Sequence, residues 1–418
     1  MSNEAHNSNH SHTQSNLSLS RLVRELPQSG IRRFFDIAAQ MEDVISLSIG
    51  EPDFATPWAI REAAIYSLER GQTTYTSNLG IFELRELIAR QLQTLYGLRY
   101  APENEVLVTV GVSEGMDLAM RAILDPGDEV LVPEPCYVSY KPCISLAGGV
   151  PVGILTTMEN EFRVTAEQLE AALTPRTRAI VLGYPSNPTG AIMPREQLQS
   201  IVDFAVTHNL YLISDEIYDR LTYDDVHTSV ASLPGAWERT ILLNGFSKAY
   251  AMTGWRLGYV CAPAPILAAL LKIHTYTILC APTMGQKAAI EALKSGESAV
   301  RDMVGQYNQR RRLIVDGLNQ AGLDCHLPQG AFYAFPSIRR TGLTSEEFAE
   351  RLLFEEHVAV VPGMAFGLGG EGHIRCSYAT SLAKIEEALH RINRFVRSLD
   401  RVPPAASQAS SQTAMSSR

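Results

Sequence analysis

Along most of this chain short apolar runs alternate with helical patterns. VLVTV (106–110), EVLV (129–132), RAIVL (178–182), LYLIS (210–214), TILLN (240–244) and RLGYVC (256–261) read as strands. SEGMDLAMRAIL (113–124) reads as a helix, and the turn DPGD (125–128) leads from it into the next strand. In REQLQSIVDFAVTHN (195–209), Leu198, Ile201, Val202 and Ala205 fall at i, i+3, i+4 and i+7, which is one face of a helix. Strand, helix, strand at this spacing predicts βαβ units and a mostly parallel sheet.

Beyond residue 300 the pattern changes. VAVVPG (358–363) and HIRCSY (373–378) are short strands, followed by a long helix whose buried stripe is Leu382, Ile385, Leu389, Ile392 and Val396. The predicted fold class is α/β, a large domain with a mostly parallel sheet flanked by helices plus a smaller α+β domain. The boundaries read as 59–299 for the large domain and 300–400 for the small one, with 21–58 as the N-terminal segment of the small domain. Residues 1–20 are polar and 401–418 are rich in Ser and Ala. Neither stretch buries enough apolar surface to offset ordering, so both read as disordered tails.

The 418 residues suffice for two domains with a large core, and 45% apolar and 19% charged residues are ordinary for a globular protein. The 36 basic and 45 acidic residues give a formal net charge of −9, which argues against a nucleic-acid or anionic-membrane partner. Six cysteines lie scattered with no CxxC pair, which suits neither a disulfide framework nor a zinc site. His6, His10 and His12 cluster in the N-terminal tail and read as part of a solvated segment rather than a metal site. Lys272 and His274 interrupt the most apolar stretch, ILAALLKIH, short of a membrane span. A cytoplasmic protein without a metal is the expectation.

Chemistry collects where strands end. In a parallel sheet, ligands gather at the carboxyl ends of the strands. Gly111-Val112-Ser113-Glu114-Gly115 follows VLVTV and opens a helix whose free N–H groups suit a phosphate, although a plain glycine turn with Ser113 or its neighbour capping the helix is the better reading of that motif taken alone. Tyr184-Pro185-Ser186-Asn187-Pro188-Thr189-Gly190 follows RAIVL; its turn formers read as a plain turn, or its two prolines would hold the Asn187 amide toward a ligand. Asp215-Glu216-Ile217-Tyr218 follows LYLIS, and an Asp at the end of a buried strand needs a partner. Lys248 follows TILLN in a small, partly apolar setting that would depress its pKa and make it nucleophilic, and Arg256 supplies a fixed charge. A cofactor with a carbonyl, a phosphate and a basic ring nitrogen would use all four positions, and pyridoxal phosphate is such a cofactor.

The motifs ISLSIGEPDF, TTYTSNLGIFELR, VTVGVSEG, DPGDEVLVPEPCY, YPSNPTG, SDEIY, NGFSKAYAMTGWRLGY, PQGAFY and HIRCSYA occur in this order. Over residues 25–398 the chain resembles the fold-type I, class I/II pyridoxal-phosphate aminotransferases. The resemblance implies Lys248 as the Schiff-base and proton-transfer lysine and Asp215 as the partner of the pyridinium nitrogen. Asn187 and Tyr218 would hold the ring hydroxyl, and Tyr137 would stack on the ring. Val112, Ser113 and Arg256 would take the phosphate, with Ser247 as a lesser candidate. Tyr75 would reach the phosphate of a neighbouring subunit, which implies a homodimer with shared active sites. Arg375, and Gly50 on the loop that closes over it, would take the substrate carboxylate, with Asn187 beside them.

Many relatives carry Ser three residues before the lysine as a phosphate ligand; here Gly245 stands there. Some related aspartate enzymes carry lysine at the place of Ser113, so its absence weakens strict aspartate specificity. The implied reaction moves an amino group between an L-amino acid and a 2-oxo acid, of the aspartate, aromatic or alanine type. Ile31, Phe34 and Tyr276 are pocket-lining candidates, with a core role equally open to them. A carbon–sulfur β-lyase shares Lys248, Asp215 and Arg375. A non-enzymatic regulatory module of this fold is disfavoured, because the 20 polar N-terminal residues leave no room for a helix-turn-helix.

Overall fold

The computed structural model describes residues 18–26 and 41–399. Helix α1 (Arg21–Glu25) and strand β1 (Ile45–Ser46) precede two helices, α2 (Trp58–Glu69) and α3 (Phe82–Tyr96). Next come β2 (Val106–Thr109), α4 (Gly111–Ile123), β3 (Glu129–Glu134), α5 (Tyr140–Leu146) and β4 (Val150–Leu155). The sheet is completed through α6 (Ala166–Ala172), β5 (Thr177–Leu182), α7 (Arg195–Thr207), β6 (Tyr211–Asp215), β7 (Thr240–Gly245) and β8 (Gly258–Cys261). Helices α8 (Ala264–Thr277), α9 (Thr283–Ser295) and α10 (Glu297–Gln320) lead to β9 (Tyr333–Ala334) and α11 (Ser345–Glu356). Strands β10 (Val358–Ala359), β11 (Val361–Pro362) and β12 (Ile374–Ser377) precede α12 (Leu382–Leu399).

The architecture is α/β. Seven strands form one sheet in the order β2-β8-β7-β6-β5-β3-β4, and its members from β7 through β4 pair in parallel. Strands β3 and β7 are buried along their whole length, as central strands of a helix-covered sheet must be. Apolar clusters cover both faces: Leu182, Leu198, Ile201 and Leu212 on one, Leu107, Met120, Ile213 and Val260 on the other. A three-stranded antiparallel sheet, β11-β12-β9, forms further along, and β1 pairs in parallel with β10 through Ile45 and Val358.

The pattern of apolar positions locates these elements with specific exceptions. The stretch RLGYVC forms a strand only from Gly258, and β8 runs antiparallel to both β7 and β2. Strand β4 carries Pro151 and Gly153, residues that an interior strand disfavours, and it lies half exposed at the sheet edge where proline is tolerated. VAVVPG splits into β10 and β11, which belong to different sheets. In α12 the buried stripe runs through Ile385, Leu389, Ile392 and Val396, but Leu382, the first helical residue, is 42% exposed. Helix α8, which holds ILAALLKIH, is not a membrane span: among the described residues no helix is long and apolar enough to cross one. The six cysteines are free. No group of His, Cys, Asp and Glu among the described residues is arranged to hold a metal. The proposed tails, apart from residues 18–20, and the His6, His10 and His12 cluster lie outside the described residues.

Candidate active site

The carboxyl edge of the sheet opens into a cavity of about 500 Å³. Asp215 ends β6, Asn187 follows β5, Lys248 follows β7, and Val112 and Ser113 lie in the first turn of α4 just after β2. Arg256 precedes β8, and because β8 is antiparallel its N-terminal end lies at this same edge. Gly50, Tyr137, Tyr218, Ser247 and Arg375 complete the residues expected here that line the cavity.

The Lys248 amine donates to the Gly50 carbonyl at 2.6 Å and sits 5.7 Å from the centres of the Tyr218 and Phe332 rings. Burial, with help from the Arg375 and Arg256 charges, lowers its pKa to about 8. Asp215 shows the opposite response: burial raises its carboxyl to about 6, against hydrogen bonds that favour the anion. Its Oδ2 accepts from the Tyr140 hydroxyl at 2.8 Å, and its Oδ1 from the Ile217 amide at 3.2 Å. An amine with a lowered pKa beside a carboxyl with a raised one is an arrangement suited to proton transfer near neutral pH.

At the far side lies Arg375, buried on β12. It donates to Asn187 Oδ1 at 2.9 Å and to the Ser48 carbonyl at 2.6 Å, while the Tyr333 and Phe366 rings stack 4.5 and 5.0 Å from its guanidinium. Its Nε is buried without a hydrogen-bond partner among the described residues. A guanidinium fixed by four neighbours, with donor capacity left over, suits bidentate capture of a carboxylate. The Tyr218 hydroxyl meets that of Tyr333 at 2.7 Å, and burial pushes both phenols up, so they stay protonated.

The remaining end is built from glycines. A Cβ on Gly111, whose φ is +72°, would stand 2.8 Å from the Arg256 guanidinium. One on Gly258 would stand 2.7 Å from the Val112 amide nitrogen, and one on Gly245 would stand 2.8 Å from Gly258 Cα and 2.9 Å from the Leu257 carbonyl. These close approaches press the β7–β8 pair and Arg256 against the start of α4. The cap of α4 is Val110 and makes no side-chain bond, so Ser113 is not a cap but a first-turn residue facing the cavity. Glu114 instead reaches back to the Val110 amide. Free first-turn N–H groups, Arg256, Ser113 and Ser247 together make this an end suited to an anion.

Two expected positions stand apart. Tyr75 is 81% exposed and does not line this cavity. Tyr276 is 90% exposed, so neither the pocket nor the core role expected for it holds within this chain. Ile31 and Phe34 lie outside the described residues. Three contributors were not singled out from the sequence: Tyr140, Tyr333 and the Ser48 carbonyl. Tyr333 and Ser48 sit inside quoted motifs (PQGAFY, ISLSIGEPDF) and Tyr140 lies three residues past DPGDEVLVPEPCY, but the partner of each lies 75 to 327 residues away.

The cavity therefore offers an amine for an electrophilic carbonyl, a carboxylate for a cationic nitrogen, a cradle for a phosphate and a clamp for a carboxylate. Residues 42–392 match the family "Aminotransferase class I and II". The Bacillus subtilis protein YugH is 54% identical over 90% of this chain and 98% of its own length. The aspartate aminotransferase of Pyrococcus abyssi is 49% identical over 88% of this chain and 96% of its own. The crystal structure of the aromatic aminotransferase from Pyrococcus horikoshii superposes with a TM-score of 0.85 at 46% identity, covering 89% of this chain and all of that one.

Proposed function

The chain belongs to the class I and II aminotransferases, and from that premise we propose that it binds pyridoxal phosphate and transfers an amino group from an L-amino acid to a 2-oxo acid by a ping-pong mechanism. The observation that carries this reading is the convergence of the Lys248 amine, the Asp215 carboxylate and the Arg375 guanidinium on one cavity. When bound, the cofactor supplies an aldehyde for the lysine and a protonated ring that draws electrons from the substrate Cα.

The chain's residues then divide the work. Arg256, Ser113 and the α4 N-terminus hold the phosphate, with Ser247 beside them. Asp215 keeps the proton on the ring nitrogen, Asn187 and Tyr218 hold the ring oxygen, and Tyr137 packs on the ring face. Arg375 clamps the substrate carboxylate through the donors that Asn187 and Ser48 leave free, under the Gly50 loop. That clamp would fix Cα near Lys248, whose neutral amine would take up the Cα proton and carry it. A pKa of about 8 keeps an appreciable neutral fraction at physiological pH.

The lining suggests the amino donor. Its only cations among the described residues are Lys248, Arg256 and Arg375, each already engaged, and Ser113 offers no charge. Among the described residues of one chain a side-chain carboxylate thus finds no further cation, which supports a neutral aromatic or alanine-type donor over aspartate. The named relatives include both aspartate and aromatic enzymes. The test is a half-reaction panel: aspartate, glutamate, alanine, phenylalanine and tyrosine are each added to the cofactor-loaded protein, and the oxo acid formed is measured. Conversion of at least one is expected. If none converts, or if cystathionine releases pyruvate and ammonia without an oxo-acid acceptor, the transfer reading gives way, in the second case to a β-lyase.

A further inference from the structure

Tyr140 is used by none of the roles above, yet it touches the group on which they depend. Its ring is buried at the start of α5, and its hydroxyl donates to Asp215 Oδ2 at 2.8 Å across 75 residues of chain. Space for that hydroxyl comes from Gly183, just past the end of β5: a Cβ there would stand 2.5 Å from the Tyr140 oxygen. The φ of Gly183 is not in the left-handed region, so close approach is what requires glycine here. The Tyr140 ring also meets the Tyr137 ring edge-on, with centres 5.6 Å apart.

We propose that Tyr140, seated by Gly183, is a positioning residue that keeps Asp215 ionised and aimed at the ring nitrogen of the cofactor. The inference rests on Asp215 being that nitrogen's partner. Asp215 lies in a setting that favours its neutral form. Two donors oppose this, the Ile217 amide, which any residue at 217 except proline would supply, and the Tyr140 hydroxyl, which is specific to this side chain. The other charged groups facing Asp215 are Lys248, which favours the anion, and Glu216, which opposes it. Tyr140 cannot exchange roles with Asp215, because burial and the neighbouring carboxylate hold its phenol protonated. Removing the donor moves the Asp215 pKa further up, so the carboxylate that the cofactor needs disappears at a higher pH.

The experiment measures cofactor affinity against pH on the full-length, cofactor-stripped protein, read by quenching of tryptophan fluorescence on adding pyridoxal phosphate. Titrations of the free cofactor are common to all variants and cancel in the comparison. Tyr140→Phe keeps the ring and deletes one oxygen. Its acid limb is expected to move up by about one pH unit, so binding is about tenfold weaker on that limb, at about pH 5, and converges with wild type above neutrality. Gly183→Ala, which leaves the phenol but takes its space, is expected to move the limb the same way. A uniform loss at every pH, or curves within twofold of wild type for either variant, overturns the proposal. Asp215→Asn separates the two readings. If it flattens the acid limb while Tyr140→Phe does nothing, the role of Tyr140 fails alone. If Asp215→Asn leaves the limb intact, the placing of Asp215 fails, and Tyr140 with it.

Discussion

Burial holds the Lys248 ammonium down at about 8 and the Asp215 carboxyl up at about 6, so near pH 7 both charged forms are carried at a cost to the empty protein. The signs follow from proton counts. An unfolded lysine keeps its proton to about pH 10.4, so between about 8 and 10.4 the unfolded chain holds more protons and stability rises with pH; below 8 the penalty is complete. For Asp215 the folded state holds more protons between about 3.9 and 6, so stability falls across that window, and the penalty is complete above it. Lys248→Met is therefore expected to stabilise the cofactor-free protein at pH 7 by on the order of 1–3 kcal/mol, with the gain shrinking toward about pH 10. Urea unfolding at the two pH values measures this, and turnover should fall by at least about 10²–10⁴-fold. Arg375→Ala acts differently. It removes the proposed clamp, and of the proposed cofactor ligands only Asn187 loses a contact, so KM for the amino acid should rise on the order of 10²-fold while cofactor affinity changes far less. Loss of cofactor instead would mean that Arg375 serves the other end of the cavity.

Elements explain what single residues leave open, above all Gly245. From the sequence it is a missing phosphate ligand; in the fold it is half of a glycine pair, facing Gly258 across the β7–β8 ladder. Gly258 in turn lies against the Val112 amide, so the two strands and α4 meet with no side chain between them. A serine at 245 has no room unless the ladder parts, and Arg256 fills the space beside Gly111 instead. Gly258→Ala is accordingly expected to cost about 1–3 kcal/mol and to weaken cofactor binding, because the displaced backbone is the proposed phosphate cradle. A thermal melt with and without cofactor reads both effects; a loss of stability with unchanged cofactor affinity would remove the cradle from this site. The direction of β8 was not legible in the chain. RLGYVC has the same buried-strand pattern whichever way it runs, and local periodicity carries no information on direction. That is why Arg256 reads as a strand residue yet stands before the strand, in left-handed backbone at φ +54°.

At the scale of the whole molecule, legibility tracks sequence distance. Strand ends marked by Asp215, Asn187 and Lys248 are local signals, and their convergence follows from a parallel sheet. The Arg375–Asn187 and Tyr218–Tyr333 contacts join residues more than a hundred positions apart, and their motifs became informative only through family resemblance. Tyr75 lies beyond even this limit. With 81% of its surface exposed and none of it in its own cavity, its proposed phosphate contact requires a second copy of the chain. An isologous pair would let each subunit lend its Tyr75 to the other. Hybrid dimers test this. A Lys248→Ala subunit cannot form the covalent link, and a Tyr75→Phe subunit binds cofactor weakly because its neighbour lends no hydroxyl. Unfolded together in equal amounts and refolded, about half the dimers should be hybrids, and in each hybrid one of the two sites is intact, so about a quarter of wild-type activity should return at limiting cofactor. Mixing that restores nothing above the two parents would mean that Tyr75 serves no neighbouring site, and the shared-site dimer would have to be abandoned.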